Sequence, residues 1–595
     1  MRWLTGLLTA LLLALVAGAV QPLGATANSP GESMYTRQSQ NEFVGSARVI
    51  RLEHSGSANG TLIGTFEHAS VDGSPSEFVL RTSKDDGETW RTLTELRDPL
   101  TGEHHPSDRM WQPFLFELPQ KMGKYPAGTL LMAANIEPGA NTRSDFVLWR
   151  SADHGASWDF QSVVQTGGGT DGAPHGGTGI WEPFLTVDGA GRLAMFFADE
   201  RKQPEHAQVI AHIVSEDGGE TWSANPDGSK NFEPGLVVDV QSDSATDRPG
   251  MPTTATLPDG RMVLAYEICG AGRNCEAYTK TSTDGGMTWG SGPSDLGEMA
   301  VSSDGRYLGS SPYLVWSPAG GENGRLLMMG MRTRYAGTNE FTPEDRQAVF
   351  AKDPDASGPW SWAPAPFQPV EGPDPNCKTS YSPHMLLDDT GRSVRLTTPT
   401  ATGGPTDCMV GTGAANSGVL PYTSTFQDGT AGWIDYGGCW KTAGGVLSET
   451  CGGSGGNKSV AGSTGWTDYR LDGEVRIDSG DQAGFLVRAS DPRKGTDAHK
   501  GYYVGVTSKN IVLGKQDGGW QQLEQAAIPG GLKTGKWYRL TVDVDGCDIK
   551  VTGRAADSAP VAFAHTDCSF TSGAIGVRDQ AGTGSWRKIS VTESR

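Results

Sequence analysis

The chain has 595 residues, and its 49 Lys and Arg against 69 Asp and Glu give a formal net charge of −20 at pH 7. That length exceeds one ordinary domain and allows several cores. The acidic balance argues against nucleic acid and anionic membrane surfaces as partners and suits a protein acting on neutral ligands.

The first segment is not part of the fold. One positive charge in MRW, the apolar run LLTALLLALVAGAV and Ala25-Thr26-Ala27 form a secretory signal peptide over 1–27, with the mature chain starting near Asn28. No later stretch is apolar enough to span a bilayer. The expectation is a secreted, extracellular monomer without a membrane partner, metal or cofactor. All eight cysteines lie at or after Cys269, in sequence-near pairs. An even count in an exported chain implies disulfides, and neighbour pairing is the simplest pattern, although sequence does not fix connectivity.

From residue 83 an octapeptide recurs: SKDDGETW at Ser83, SADHGASW at Ser151, SEDGGETW at Ser215 and STDGGMTW at Ser282. A fixed period marks a repeated supersecondary unit. In S-x-D-x-G-x-x-W the Asp bonds its own turn, Gly takes φ > 0 and Trp packs the turn down. The repeat resembles the Asp box of sialidase-like β-propellers, which makes its Asp residues structural. A fainter repeat places a short apolar strand, a Gly turn and a second apolar strand at Arg48, Gln112, Glu182, Met251, Ser311 and Ser382. Five of the six copies carry Pro near the start: Pro113, Pro183, Pro252, Pro312 and Pro383. The fifth unit keeps only a degenerate Asp box, AKDPDASGPWSW from Ala351. Six units predict an all-β, six-bladed β-propeller over 28–420. Its first strands line a central channel, so Glu182 opens one inner strand and Glu267 closes the next strand of the following blade.

A Gly/Ser/Thr-rich boundary, Gly411 to Trp433, follows. Short alternating segments such as YRLDGEVRI, GYYVGVTS and WYRLTVDVDG then predict an antiparallel β-sandwich over 421–595. This part resembles the concanavalin-like, laminin-G-like modules appended to secreted carbohydrate enzymes. The resemblance implies a carbohydrate-binding module, with Trp440, Arg488, Tyr502, Tyr503 and Trp520 as candidate contacts. For each alone, core or surface packing is the commoner role. Truncation at about residue 420 is expected to spare hydrolysis of soluble oligosaccharides and to weaken polymer binding.

Polar residues gather at the inner-strand ends, Glu67, Glu200, Arg201, Asp247 and Arg332 among them. The candidate substrate contacts are Arg48, Gln112, Trp181, Asp199, Arg248, Tyr266, Arg334, Tyr381 and His384. Carboxylates and arginines bond hydroxyls, and aromatic faces pack the C–H face of a sugar. Glycoside hydrolysis needs two carboxyl groups flanking one bond. Glu182 beside Trp181 and Glu267 beside Tyr266 are the first choices, since an apolar wall raises a carboxyl pKa. Against each stands a structural role, a solvated strand end or an Arg partner.

The runs RVIRLEHSGSANGTLIGTFE, QPFLFELPQKMGKYPAGTLLMAAN, IWEPFLTVDGAGRLAMFFADER and DRPGMPTTATLPDGRMVLAYE resemble the secreted exo-1,5-α-L-arabinanases of glycoside hydrolase family 93. The resemblance implies a six-bladed propeller that releases arabinobiose from the non-reducing end of linear arabinan with retention. It implies Glu182 and Glu267 as the catalytic pair, taken with Glu267 as nucleophile and Glu182 as acid/base. The Gly-rich loop GGGTDGAPHGGTG before Trp181 and a staple at Cys269 and Cys275 depart from that pattern and bear on sugar specificity. The alternatives are an exo-sialidase, for which Arg48, Arg248, Arg334 and Tyr381 resemble site residues, and a non-catalytic sugar-binding propeller. The opening "RVIRL" and the "DRPGM" of the fourth inner strand depart from the sialidase pattern.

Overall fold

The computed structural model describes residues 31–594 apart from 71–75, 101–108, 138–141, 170–176, 225–234, 375, 403–407, 454 and 556–557. The expected signal peptide and most of the Gly-rich loop before Trp181 lie outside the described residues.

Six antiparallel sheets form the propeller. Their first strands are Glu42–Arg51, Arg109–Glu117, Ile180–Val187, Arg248–Thr256, Tyr313–Ser317 and His384–Leu387. Each touches the first strands of both neighbouring blades, so they close a ring around one axis. Second strands are sandwiched between blades and read as apolar runs. Leu193–Asp199 (LAMFFAD) is buried at every position. The sixth blade takes its outer strand from the other end of the propeller: Glu32–Thr36 pairs with Cys408–Asn416. The six-unit repeat did not include this strand, because its partner lies far away in sequence. The fourth sheet is extended by Arg306–Gly309 and Arg332–Tyr335, which come from the connections around blade five.

The repeated Pro has a backbone explanation. One residue within or just before each inner strand, Ser46, Gln112, Glu182, Met251, Ser311 or Ser382, has φ between 37° and 64°. In blades one to four the register shifts there, as in a β-bulge. Proline, with its fixed φ, follows in five blades and Ala47 in the first. The bulge is a scaffold feature, and it turns the side chain of that residue toward the axis.

The Asp boxes close the third hairpin of blades one to four. In the third box Ser215 Oγ and the N–H groups of Glu220 and Thr221 all donate to Asp217 Oδ1, and Thr221 Oγ1 donates to Oδ2. Gly219 has φ 94° and donates its N–H to Ser215 Oγ.

The C-terminal part is a sandwich of an eight-stranded and a seven-stranded antiparallel sheet. Strand Tyr469–Ser479 shows the alternation expected of one buried face. Four of the five candidate sugar contacts in this part are interior, which corrects the sequence expectation. Trp440 packs on Trp586 at 5.6 Å. Tyr502 and Tyr503 are fully buried. Arg488 is fully buried and donates to Thr467 O, Gly546 O and Phe570 O. Only Trp520 is exposed, at 41%. The four disulfides join Cys269–Cys275, Cys377–Cys408, Cys439–Cys451 and Cys547–Cys568, the neighbour pairing.

The two parts share a core. Trp360, Trp362, Leu326 and Phe350 of blade five pack with Ile434, Val460, Leu486 and Tyr503 of the sandwich. Arg306, fully buried, is held by Asp304 and Glu344 of the propeller and by Asp491 of the sandwich. Tyr436 donates to Glu344 Oε1 at 2.5 Å, and Thr464 N–H donates to Trp362 O at 2.9 Å. Removing the sandwich therefore uncovers aromatic surface and leaves Arg306 and Glu344 facing water.

Two outcomes follow. Asp217→Ala removes the acceptor of its turn and is expected to cost about 1–2 kcal/mol in denaturant unfolding while leaving hydrolysis rates unchanged. The 31–420 fragment is expected to melt below the full chain and to bind a hydrophobic dye, whereas the full chain unfolds in one calorimetric transition.

Candidate active site

The inner-strand bulges present backbone N–H groups to the axis, and a buried N–H needs an acceptor. Side chains from the neighbouring blade supply it. Gln112 N–H donates to Glu67 Oε1 at 2.7 Å, and Glu182 N–H to Gln112 Oε1 at 2.9 Å. Met251 N–H donates to Glu182 Oε2 at 2.7 Å, and Ser311 N–H to Glu267 Oε2 at 2.6 Å. Glu182 and Glu267 thus come from adjacent blades, each accepting one N–H from the next blade. The backbone of Gly250 separates them. Gly250 is the register partner of Glu267, and a Cβ on it would lie 3.5 Å from Glu182 Oε2.

The carboxyls are enclosed by protein. Glu67 is 2% exposed, while Glu182 and Glu267 keep partial access along the channel. Burial pushes Glu67 and Glu182 up to about 7, against the pull of the N–H bonds and the neighbouring arginines. Burial and the Glu182 charge push Glu267 up to about 8. Arg248 acts on both Glu182 and Glu267, and Arg48 on Glu182 and Glu67.

Of the expected contacts, several converge. Arg248 is held by Glu200 at 2.6 Å and donates to Gln208 Oε1. Arg48 donates to Ser382 O and Oγ and lies over the Tyr313 ring at 5.5 Å. Tyr381 is held well above its usual pKa by burial and by the charges of Glu182, Glu67 and Glu267. His384 is buried against Tyr313, and burial and Arg48 hold it neutral. Gln112 bridges Glu67 and Glu182. Trp181 is half-buried beside Glu182, with its Nε1 buried and unpartnered.

Three contacts are corrected. Tyr266 alternates away from Glu267, lies fully buried in the propeller core against Tyr278 and donates its hydroxyl to Leu296 O. Asp199 is fully buried with both carboxylate oxygens on Arg201. Arg334 stacks on Phe341 at 3.8 Å and donates to Asn339 O, within its own rim hairpin. Sequence reasoning placed Glu67 among the inner-strand polar residues without giving it a role, and passed over Gly45 and Gly250. Gly45 stands opposite Glu67 as Gly250 stands opposite Glu267, and a Cβ on Gly45 would lie 2.6 Å from Glu67 Oε2. The shared signal is a Gly two residues before Ala47 and Pro252.

Among the described residues, the grouping of ligand-type atoms that could hold a metal is Glu267 with Cys269 and Cys275. Both sulfurs are spent in a disulfide, so one ligand remains. Cys269 Sγ lies 3.3 Å from Glu267 Oε1 as a packing contact, since a disulfide sulfur carries no proton.

Fold and site together define an Asp-box propeller with a carboxylate-lined axial pocket. A BNR repeat-like domain model matches residues 59–230, and a 3-keto-alpha-glucoside-1,2-lyase-like domain model matches 421–592. The α-L-arabinanase of Penicillium chrysogenum, solved with arabinobiose, is similar at 27% identity and TM-score 0.53, over 67% of this chain and all of that one. The α-L-arabinofuranosidase of Fusarium graminearum, solved with an iminosugar inhibitor, is similar at 26% identity and TM-score 0.51, over 66% of this chain and 98% of that one. A sialidase of Paraclostridium sordellii is 23% identical over 225 residues, 34% of this chain. The match spans about half of that relative, 54% of its length. The chain is a six-bladed BNR propeller distantly related to family 93 arabinanases and arabinofuranosidases and to sialidases, with a C-terminal 3-keto-disaccharide hydrolase-like domain.

The raised carboxyls make stability depend on pH. Unfolded Glu titrates near 4.5, whereas Glu67 and Glu267 keep their protons to about 7 and about 8 when folded. The native state binds more protons across that window, so their contribution is complete below about pH 4.5 and is lost as pH rises through about 7–8. Glu67→Gln and Glu267→Gln keep an acceptor for the next blade without the charge. Both are expected to melt above wild type by a margin that widens between about pH 5 and about pH 8.5.

Proposed function

We propose that the chain is a retaining, exo-acting glycoside hydrolase that releases arabinobiose from linear 1,5-α-L-arabinan. The observation that carries this is the pair of enclosed carboxyls, Glu182 on the first strand of blade three and Glu267 on the second strand of blade four, with Arg248 acting on both. Prolines 113, 183, 252 and 312 line the axial cavity beside Glu182 together with Arg48 and Gln112. Four disulfides agree with an extracellular setting. The likeness to an arabinanase bound to arabinobiose supports the choice of sugar.

The electrostatics favour roles opposite to the sequence expectation. Glu182, pushed up to about 7, faces Arg248 and Arg48 against the charge of Glu200, whereas Glu267, pushed up to about 8, faces the charge of Glu182 and Arg248 alone. On this reading the proton shared by the pair rests on Glu267. The Glu182 carboxylate attacks the anomeric carbon, and the Glu267 proton goes to the departing oxygen as the glycosidic bond breaks. The Glu267 carboxylate then takes a proton from water, whose oxygen displaces Glu182. Two inversions give net retention.

Glu182→Gln and Glu267→Gln are each expected to lower kcat on linear arabinan by about 10²–10⁴-fold while still unfolding cooperatively and no lower than wild type. Wild-type kcat/KM is expected to fall above about pH 8, as Glu267 loses its proton. Turnover of a fluorogenic sialoside without turnover of arabinan would select the sialidase reading. Full activity in both variants would leave a sugar-binding propeller.

A further inference from the structure

Arg248 acts on both Glu182 and Glu267, and its own support comes from blade three. Arg248 opens the first strand of blade four. Glu200 directly follows the strand Leu193–Asp199, and Gln208 directly precedes the strand Val209–Ser215, so one connection of blade three carries both. Glu200 is fully buried, with its N–H on Gly179 O at 3.0 Å and its carboxylate 2.6 Å from Arg248 Nη2. Gln208 is 5% exposed. Its Oε1 accepts from Arg248 Nη2 at 2.6 Å, and its Nε2 donates to Pro249 O at 2.8 Å.

Two features separate Gln208 from a side chain that only fills space. Both ends of its amide are used, which fixes its orientation: a flipped amide would set Nε2 against the guanidinium and Oε1 against the Pro249 carbonyl. The amide also lies beside the backbone that divides the two carboxyls. A Cβ on Gly250 would lie 2.6 Å from Gln208 Nε2 and 3.5 Å from Glu182 Oε2, and Gly250 is the register partner of Glu267. One side chain thus holds both the guanidinium and the strand segment that spaces the pair. Other charges around them are paired elsewhere. Asp199 is taken by Arg201 and Asp247 by Arg273. Arg48 acts on Glu182 and Glu67, and Glu137, raised by burial and by Glu200, has Arg109 at 3.9 Å. Tyr381, held well above its usual pKa, stays neutral.

We propose that Glu200 and Gln208 are positioning residues that hold the Arg248 guanidinium against the Glu182–Glu267 pair, and that their make-up, one carboxylate and one amide, sets how much of its charge the pair receives. This rests on the catalytic reading of the pair. Glu200 takes part of the guanidinium charge at 2.6 Å and adds its own repulsion on Glu182. A second carboxylate at position 208 would take more, and both members of the pair would keep their protons to higher pH. An amide at position 200 would take less, and the protons would leave earlier. The neutral amide of Gln208 orients Arg248 without drawing on its charge.

The test is the pair of isosteric exchanges Gln208→Glu and Glu200→Gln in the full chain. The basic limb of kcat/KM on linear arabinan is expected to move up by about one pH unit in Gln208→Glu and down by about one in Glu200→Gln. A support for the connection alone would lower the melting temperature and leave the limb in place. A second readout needs no substrate: the margin by which Glu267→Gln melts above its parent. Compared with wild type, that margin is expected to keep widening to higher pH in the Gln208→Glu parent and to level off at lower pH in the Glu200→Gln parent. The proposal is overturned if the two exchanges move limb and margin the same way, if neither moves them, or if neither variant folds. Where one variant alone folds, the direction of its shift decides. Margins shifted in opposite directions in a chain without arabinan turnover would uphold the role of Glu200 and Gln208 and reject the arabinanase reading.

Discussion

The propeller depends on how each blade is joined to the next at the axis. Every inner strand carries a residue at positive φ within it or just before it, and in four of them that residue's N–H is bonded by a side chain of the preceding blade. Glu67, Gln112, Glu182 and Glu267 supply four of the acceptors. An acceptor in such a place must be drawn out of solvent, and for a carboxyl that desolvation raises proton affinity. Joining the blades and preparing an acid are therefore one event. The structural and the proposed chemical reading of Glu182 do not compete, because the bond that joins the blades is also what draws the carboxyl out of solvent.

The same constraint explains why equivalent residues behave differently. Glu67 and Glu267 hold matching places in blades one and four, each opposite a Gly and each accepting from the following blade. Glu67 faces Arg48 and is closed from solvent, whereas Glu267 faces the charge of Glu182 and keeps access to the channel. The repeat fixes where a carboxyl can stand. The neighbouring blade decides whether it can exchange a proton with a ligand.

Much of this was legible in the sequence. The Asp boxes, the Gly turns and the recurrent Pro give six blades because each is a local signal whose residues bond within one hairpin. Glu182 and Glu267 stood out because they mark inner-strand ends. Side-chain direction was harder to read. Tyr266 adjoins Glu267 in sequence, yet strand alternation sends it into the core. Asp199 and Arg334 were drawn off by Arg201 and Phe341. The closing strand Glu32–Thr36 and the shared core with the sandwich rest on partners hundreds of residues away, which no local pattern records.

That shared core bears on the site. Loop 490–499 of the sandwich reaches the propeller through Asp491 on Arg306 at 3.4 Å and Arg493 over the Tyr335 ring at 4.7 Å. Arg306 and Tyr335 lie on paired strands of the rim. The first of those strands runs directly into Ser310 and Ser311, whose N–H groups are held in turn. Ser310 N–H donates to Cys275 O, and Ser311 N–H donates to Glu267. The bond that fixes the Glu267 carboxyl is thus braced from behind by a strand pair, and the strand pair is braced by the sandwich. A carboxyl that must meet a sugar in one geometry gains from a support of this kind, because a misplacement of about 1 Å costs on the order of a hundredfold in rate. On this geometry the C-terminal domain is part of what holds the Glu267 carboxyl in place as well as a domain appended after the propeller.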